Sequence, residues 1–125
     1  MKSPNSLNKN EIPPQQQLKV LLDHFQAGRY TESENLAKSL TENFPRHPFS
    51  WKVLGAVLGQ TGRSTDSLVI FQKTVKLFPE DAEAHSNLGN TLKLLGRLEE
   101  AENSYNKAIK LNYEYTPAHY NLGVT

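Results

Sequence analysis

The sequence predicts an all-α protein of about seven helices, packed as a stack of antiparallel pairs. Three observations predict it. Turn glycines Gly28, Gly62 and Gly96 recur every 34 residues, each followed by an arginine, Arg29, Arg63 or Arg97. Leucine-glycine pairs keep the same phase at Leu54-Gly55, Leu88-Gly89 and Leu122-Gly123, as do Pro45 and Pro79. Apolar residues between these marks fall three and four apart, the spacing that places them on one face of a helix. A fixed period with turns and apolar positions in phase marks a repeat architecture.

Met1 to Pro13 is rich in Asn, Ser, Lys and Pro and has little to bury against the cost of ordering its backbone, so a disordered tail is predicted over 1–13. The first helix is expected to begin at Pro14, whose missing N–H costs nothing in a first turn, and to run to about Ala27. Gly28 then closes it, because glycine adopts the left-handed conformation without a Cβ clash. A second helix is expected over Tyr30 to Asn43. It ends near Phe44-Pro45, since proline disfavours helical geometry in the residue before it. The next pair is expected at about Pro48 to Thr61 and Ser64 to Leu77, stopped by Gly62 and Pro79.

In the third pair, Ala84, Leu88, Leu92 and Leu95 mark one apolar stripe, and Leu98, Ala101, Tyr105, Ala108 and Ile109 mark another. Gly89 with Ala101, and Gly55 with Ser67, are small residues where paired helices would cross. Gly55, Gly59 and Gly62 each read as packing or turn positions. Glu99 and Glu100 open the last of these helices and Lys107 and Lys110 close it, which suits the helix dipole. Asp81 and Thr116 read as N-caps. No pair can bury its stripes alone, so the units must stack, with the first helix of each lining an inner surface. Trp51, Leu54, Leu58, Phe71, Leu88, Leu92, Tyr105 and Ile109 are expected to be buried.

Trp51, Leu54, Gly55, Leu58, Gly62, Ser67, Phe71 and Pro79 fall on the W-x2-L-G-x2-Y, A-x3-F, P pattern of the tetratricopeptide repeat. The chain resembles that family from about Pro14 to its end, as units 14–47, 48–81 and 82–115 and a partial unit 116–125. The resemblance implies a right-handed superhelical solenoid. In the first unit Gln17, Val20, Leu21 and His24 stand where the pattern has Trp, Leu, Gly and Tyr, and in the third Tyr113 stands for the closing proline. Ten residues are too few for a stable isolated helix, so the partial unit must lean on the third. The chain is expected either to continue past Thr125 or to meet a second copy through this uncovered end.

Composition narrows the function. A net charge of +1 with interspersed signs gives no basic face for nucleic acid. With no cysteine there is neither a disulfide framework nor a thiolate metal site. No run approaches a membrane span or a secretory signal, so a cytoplasmic protein is expected. Phosphate loops, the HExxH metal motif and the GxSxG nucleophile motif are all missing, and no catalytic residue, metal or cofactor is expected. His85 and His119, one period apart at the position of Trp51, read as packing residues rather than ligands.

The remaining candidate is the inner surface. In the third unit Glu83, Ser86, Asn87, Asn90 and Lys93 lie opposite the apolar stripe; the second unit offers Phe49, Lys52, Val53, Ala56 and Gln60, and the fourth Tyr120, Asn121 and Val124. Lys52, Ala56, Ser86, Asn87, Asn90, Lys93, Tyr120 and Asn121 are the predicted peptide-binding set. Asn87 and Asn121 are equivalent positions, and a carboxamide both donates and accepts, so a row of them can hold the backbone of an extended ligand. The Asn87-Leu88-Gly89 and Asn121-Leu122-Gly123 triplets are similar to the asparagine ladder of O-linked N-acetylglucosamine transferases, where such residues hold the substrate chain. A chaperone-tail carboxylate clamp is not expected, because Ala56, Pro117 and Asn121 occupy places that would need Asn, Lys and Arg. The reading is a non-catalytic module that binds a protein segment. The alternatives are the substrate-recruiting part of a glycosyltransferase or sulfotransferase and a self-associating scaffold.

Overall fold

The computed structural model describes residues 12–112, and among these all regular structure is helical. Six helices follow one another, α1 (Gln15–Gln26), α2 (Tyr30–Asn43), α3 (Pro48–Gln60), α4 (Ser64–Leu77), α5 (Ala82–Leu94) and α6 (Leu98–Leu111). Their sequential antiparallel pairs are the expected architecture. The seventh helix and the Thr116 cap, like most of the predicted tail, lie outside the described residues. Pro14 stands one residue earlier than expected, as the N-cap of α1, with its carbonyl accepting from the amides of Gln17 and Leu18.

The three turn glycines adopt φ of 76° to 80°, a region closed to most side chains. This turns the chain so that the next amide reaches back five residues. Arg29 N–H donates to His24 at 2.9 Å, Arg63 to Leu58 at 2.8 Å and Arg97 to Leu92 at 2.9 Å. The turn therefore uses the arginine's amide, while the guanidinium serves elsewhere. That of Arg29 meets His24 and that of Arg97 meets Glu100.

Among the described residues, Arg63 alone of the three ties one helix pair to another. Its guanidinium donates to both carboxylate oxygens of Glu34 on α2, and Lys38 adds a 2.9 Å contact. Arg63, then Lys38, holds the Glu34 carboxyl down to about 2 against the opposing effect of burial. A carboxyl depressed in the folded state adds stability above its unfolded value, and the gain disappears as pH falls from about 4.5 to about 2. Arg63→Gln is expected to return the Glu34 midpoint toward the ordinary carboxylate range and flatten the loss of stability across that window. Carbon-13 NMR titration of Glu34 checks this; an unmoved midpoint would assign the whole depression to other groups.

Apolar residues collect into two cores that straddle the pairs. The first joins Leu21 of α1, Ala37 and Leu40 of α2, and Val53, Leu54, Val57 and Leu58 of α3. The second joins Leu68 and Phe71 of α4, Leu88 and Leu92 of α5, and Ala101 and Tyr105 of α6. Each pair thus covers its neighbour's stripe, as stacking requires. Between the cores, Phe71 lies over Gly55, where a Cβ would come within 2.5 Å of its ring, and Ser67 donates to the Gly55 carbonyl at 2.8 Å. Tyr105 repeats the arrangement over Gly89, at 2.6 Å.

Seven of the eight residues expected in the core are buried, and Ile109 is half-buried. Leu95 and Leu98 are corrections to the predicted stripes. They are 36% and 50% exposed, because both flank the Gly96 turn and neither belongs to the second core.

Candidate functional site

The first helices of successive pairs lie side by side, α1 against α3 and α3 against α5, and form the layer expected to bind. Between α3 and α5, with α4 behind, a cavity of about 400 Å³ opens. Ala56 and Gln60 reach it from α3, Asn87, Asn90 and Leu94 from α5, and Phe71 from α4. The Asn87 side chain is half-buried and makes no hydrogen bond among the described residues. The Asn90 carboxamide oxygen accepts from the Tyr105 hydroxyl at 2.6 Å, which fixes that group from behind. Burial pushes the Tyr105 hydroxyl above its ordinary value, so it stays a neutral donor.

Three predicted groove residues are placed differently. Ser86 is 1% exposed and Val53 6%, because α5 is covered by α3, α4 and α6 and α3 by four neighbours, leaving each only a narrow open face. Lys52 is neutralised. Its ammonium lies 3.0 Å from Asp81 and 2.7 Å from Glu83. Burial alone would lower the lysine, but the two carboxylates outweigh it and hold it above the ordinary value. Lys93, half-buried on α5, has no ion pair among the described residues. Ala56, Asn87 and Asn90 share the cavity, while Tyr120 and Asn121 lie outside the described residues.

The Lys52 pair grows out of the way α5 begins. Asp81 caps the helix through one carboxylate oxygen, accepting from the Ala84 amide at 3.0 Å, and offers the other to Lys52. Four residues on, the His85 ring donates from Nε2 to the Pro79 carbonyl at 2.8 Å. One period earlier Trp51 Nε1 donates to the Pro45 carbonyl at 3.0 Å. The two rings therefore do one job, tying each pair's first helix to the turn before it, and His85 is occupied by packing. The sequence carried a signal for this: a ring N–H six residues after each closing proline.

Residues 82–112, which hold α5 and α6, match the family model of the tetratricopeptide repeat. The whole arrangement superposes on solved domains of that kind. One is the first such domain of Spaghetti (RPAP3) bound to the HSP90 peptide SRMEEVD, 20% identical, covering 87% of this chain and 90% of that one, with a TM-score of 0.79. The described helices have the fold of tetratricopeptide-repeat domains, and residues 82–112 match one such repeat. The tetratricopeptide fold extends to the Yersinia enterocolitica type III secretion chaperone SycD in complex with a peptide of the translocator YopD. There the identity is 16%, the coverage 88% of this chain and 89% of that one, and the TM-score 0.80. A Thermobaculum terrenum O-GlcNAc transferase is 26% identical over 91% of this chain, with a TM-score of 0.76, and this chain covers 23% of the transferase. No curated protein sequence matches the chain. Among the described residues no helix is long and apolar enough to cross a membrane.

Proposed function

We propose that this tetratricopeptide domain is a non-catalytic module that binds an extended peptide along the layer of α1, α3 and α5. The carrying observation is the Asn87 carboxamide, without a hydrogen-bond partner among the described residues, at the edge of an open cavity between two first helices. A group that both donates and accepts can pair with a peptide unit in any side-chain context. RPAP3 and SycD, which share the fold, are each solved with a peptide, which supports the reading. Neutralisation of Lys52 argues against a ligand held mainly by its terminal carboxylate.

The test begins with a displayed peptide library, followed by calorimetry on the selected sequence. Asn87→Ala is expected to weaken binding by roughly two- to tenfold, one neutral hydrogen bond's worth of about 0.5 to 1.5 kcal/mol, with helicity unchanged. Adding Asn121→Ala is expected to bring the loss to about tenfold or more. Unchanged affinity in the double variant would move the binding surface elsewhere.

A second reading is favoured by the 26% identity to the transferase, in which this chain recruits substrate for a larger glycosyltransferase. Reading the coding sequence on the C-terminal side distinguishes the two, since only the second requires a catalytic domain there.

A further inference from the structure

Gly59 sits at the next-to-last position of α3, inside the helix, where glycine is less favourable than alanine by roughly 0.5 to 1 kcal/mol. Two structural reasons could retain it, and neither applies. Its φ is not positive, unlike those of Gly28, Gly62 and Gly96. Nor does a helix press against it, since a Cβ there would meet only Ser67 Oγ at 3.6 Å, an ordinary contact. Gly55, one turn earlier, is the opposite case, closed by the Phe71 ring. The repeat itself does not ask for glycine either. The equivalent positions one period away are Phe25 and Lys93, both with long side chains.

The missing side chain leaves space. The cavity of about 400 Å³ opens beside Gly59 and Ala56, with Phe71 at its floor and Leu94, 75% exposed, at its mouth. That volume falls within the range of small-ligand sites, about 300 to 1,000 Å³. Its lining contains no Asp, Glu, Lys or Arg. A charged group entering it would lose hydration without gaining a counter-charge, which is costly. Its polar groups are neutral: the hydroxyls of Ser67 and Thr91, which donate to backbone carbonyls, and amides, of which Asn87 and Gln60 have no hydrogen-bond partner among the described residues.

We infer that Gly59 opens a socket for one uncharged, mainly apolar side chain of the bound peptide, of leucine or methionine size, which sets the ligand's specificity at that position. The socket rests on the peptide-binding reading: the backbone is held at Asn87 and the side chain beside it drops toward Phe71. Apolar contact with Phe71 and Leu94 favours the occupant, and the absent counter-charge rejects acidic and basic residues.

The experiment compares the whole chain with Gly59→Leu, which fills the socket with a good helix former, and with Gly59→Ala, which fits in ordinary contact. The first probe is N-acetyl-leucinamide, followed by amide chemical shifts in solution; the controls are the blocked amides of aspartate and lysine. Leucinamide is expected to shift the Gly59, Asn87 and Leu94 resonances of the native chain, while the charged probes leave them in place. In Gly59→Leu, shown folded by circular dichroism, the shifts at Asn87 and Leu94 are expected to vanish. Equal shifts from charged probes, no shift in the native chain, or the same shifts in Gly59→Leu would each overturn the socket.

The second probe is the library-selected peptide, scanned at each position with Leu, Glu and Lys. One position is expected to prefer Leu by at least tenfold, and Gly59→Leu to erase that preference while sparing the others. If Asn87→Ala weakens this peptide and Gly59→Leu does not, the socket fails and the peptide-binding reading stands. If leucinamide binds the socket but no library peptide binds the chain, the opposite holds.

Discussion

Tyr105→Ala is expected to destabilise the protein by about 3 to 5 kcal/mol, as removal of a large buried ring does. The ring is fully buried at the centre of the second core and rests on the backbone of Gly89. Its hydroxyl donates to Asn90, so Tyr105→Phe should cost only about 0.5 to 1.5 kcal/mol, the net worth of one hydrogen bond. The contact with Gly89 makes a sharper test. In the native chain Gly89→Ala would place a methyl group 2.6 Å from the ring, and overpacking of this kind costs about 1 to 3 kcal/mol. In the Tyr105→Ala background that clash is gone, and the same change should gain up to about 1 kcal/mol of helix propensity. Urea denaturation of the four proteins gives the coupling. Effects that add within about 0.5 kcal/mol would mean that ring and glycine are independent and that the crossing is not closed by this contact.

The parts of this fold that were legible in the sequence are those governed by local rules repeated in phase. Gly28, Gly62 and Gly96 could be placed because a positive φ after a helix is a property of one residue and its hydrogen bonds. Gly55 and Gly89 could be marked as crossing points because each shares a period with a Leu before it. Which ring would fill each gap was not named, although Phe71 and Tyr105 lie at the same separation from their glycines. The surface was less legible. Lys52 was expected to face a ligand, but its partners lie 29 and 31 residues on and reach it only because α5 starts beside α3. Helical spacing gives the face of a residue and not what the neighbouring helix brings to it. Ser86 was misplaced for the same reason, on a face that is polar in sequence and covered in the stack. Residue type alone gives Gly59 a packing or turn role, but its φ is not positive and a Cβ there would meet only Ser67 Oγ, at 3.6 Å.

Leu88→Ala is expected to cost about 2 to 5 kcal/mol, and where the loss appears should be as informative as its size. Leu88 is 9% exposed and belongs to the second core, so it faces Leu68 and Phe71 from the preceding pair together with Ala101 and Tyr105 from its own. The first core has no share in it. In a stack of this kind stability is close to a sum of each unit's own contribution and its contact with the next. Emptying the Leu88 site therefore weakens both the third unit and its junction with α4, while α1, α2 and α3 keep all their apolar partners. Hydrogen exchange in increasing urea should show α5 and α6 losing protection first, with α1 to α3 holding on longer. Phe71 and Ser67, bound to Gly55, should leave α4 intermediate. Simultaneous loss across all six helices would mean that the contacts between the cores are strong enough to merge them into one cooperative unit. An unchanged urea midpoint would remove Leu88 from the core, and with it the 34-residue register that placed it there.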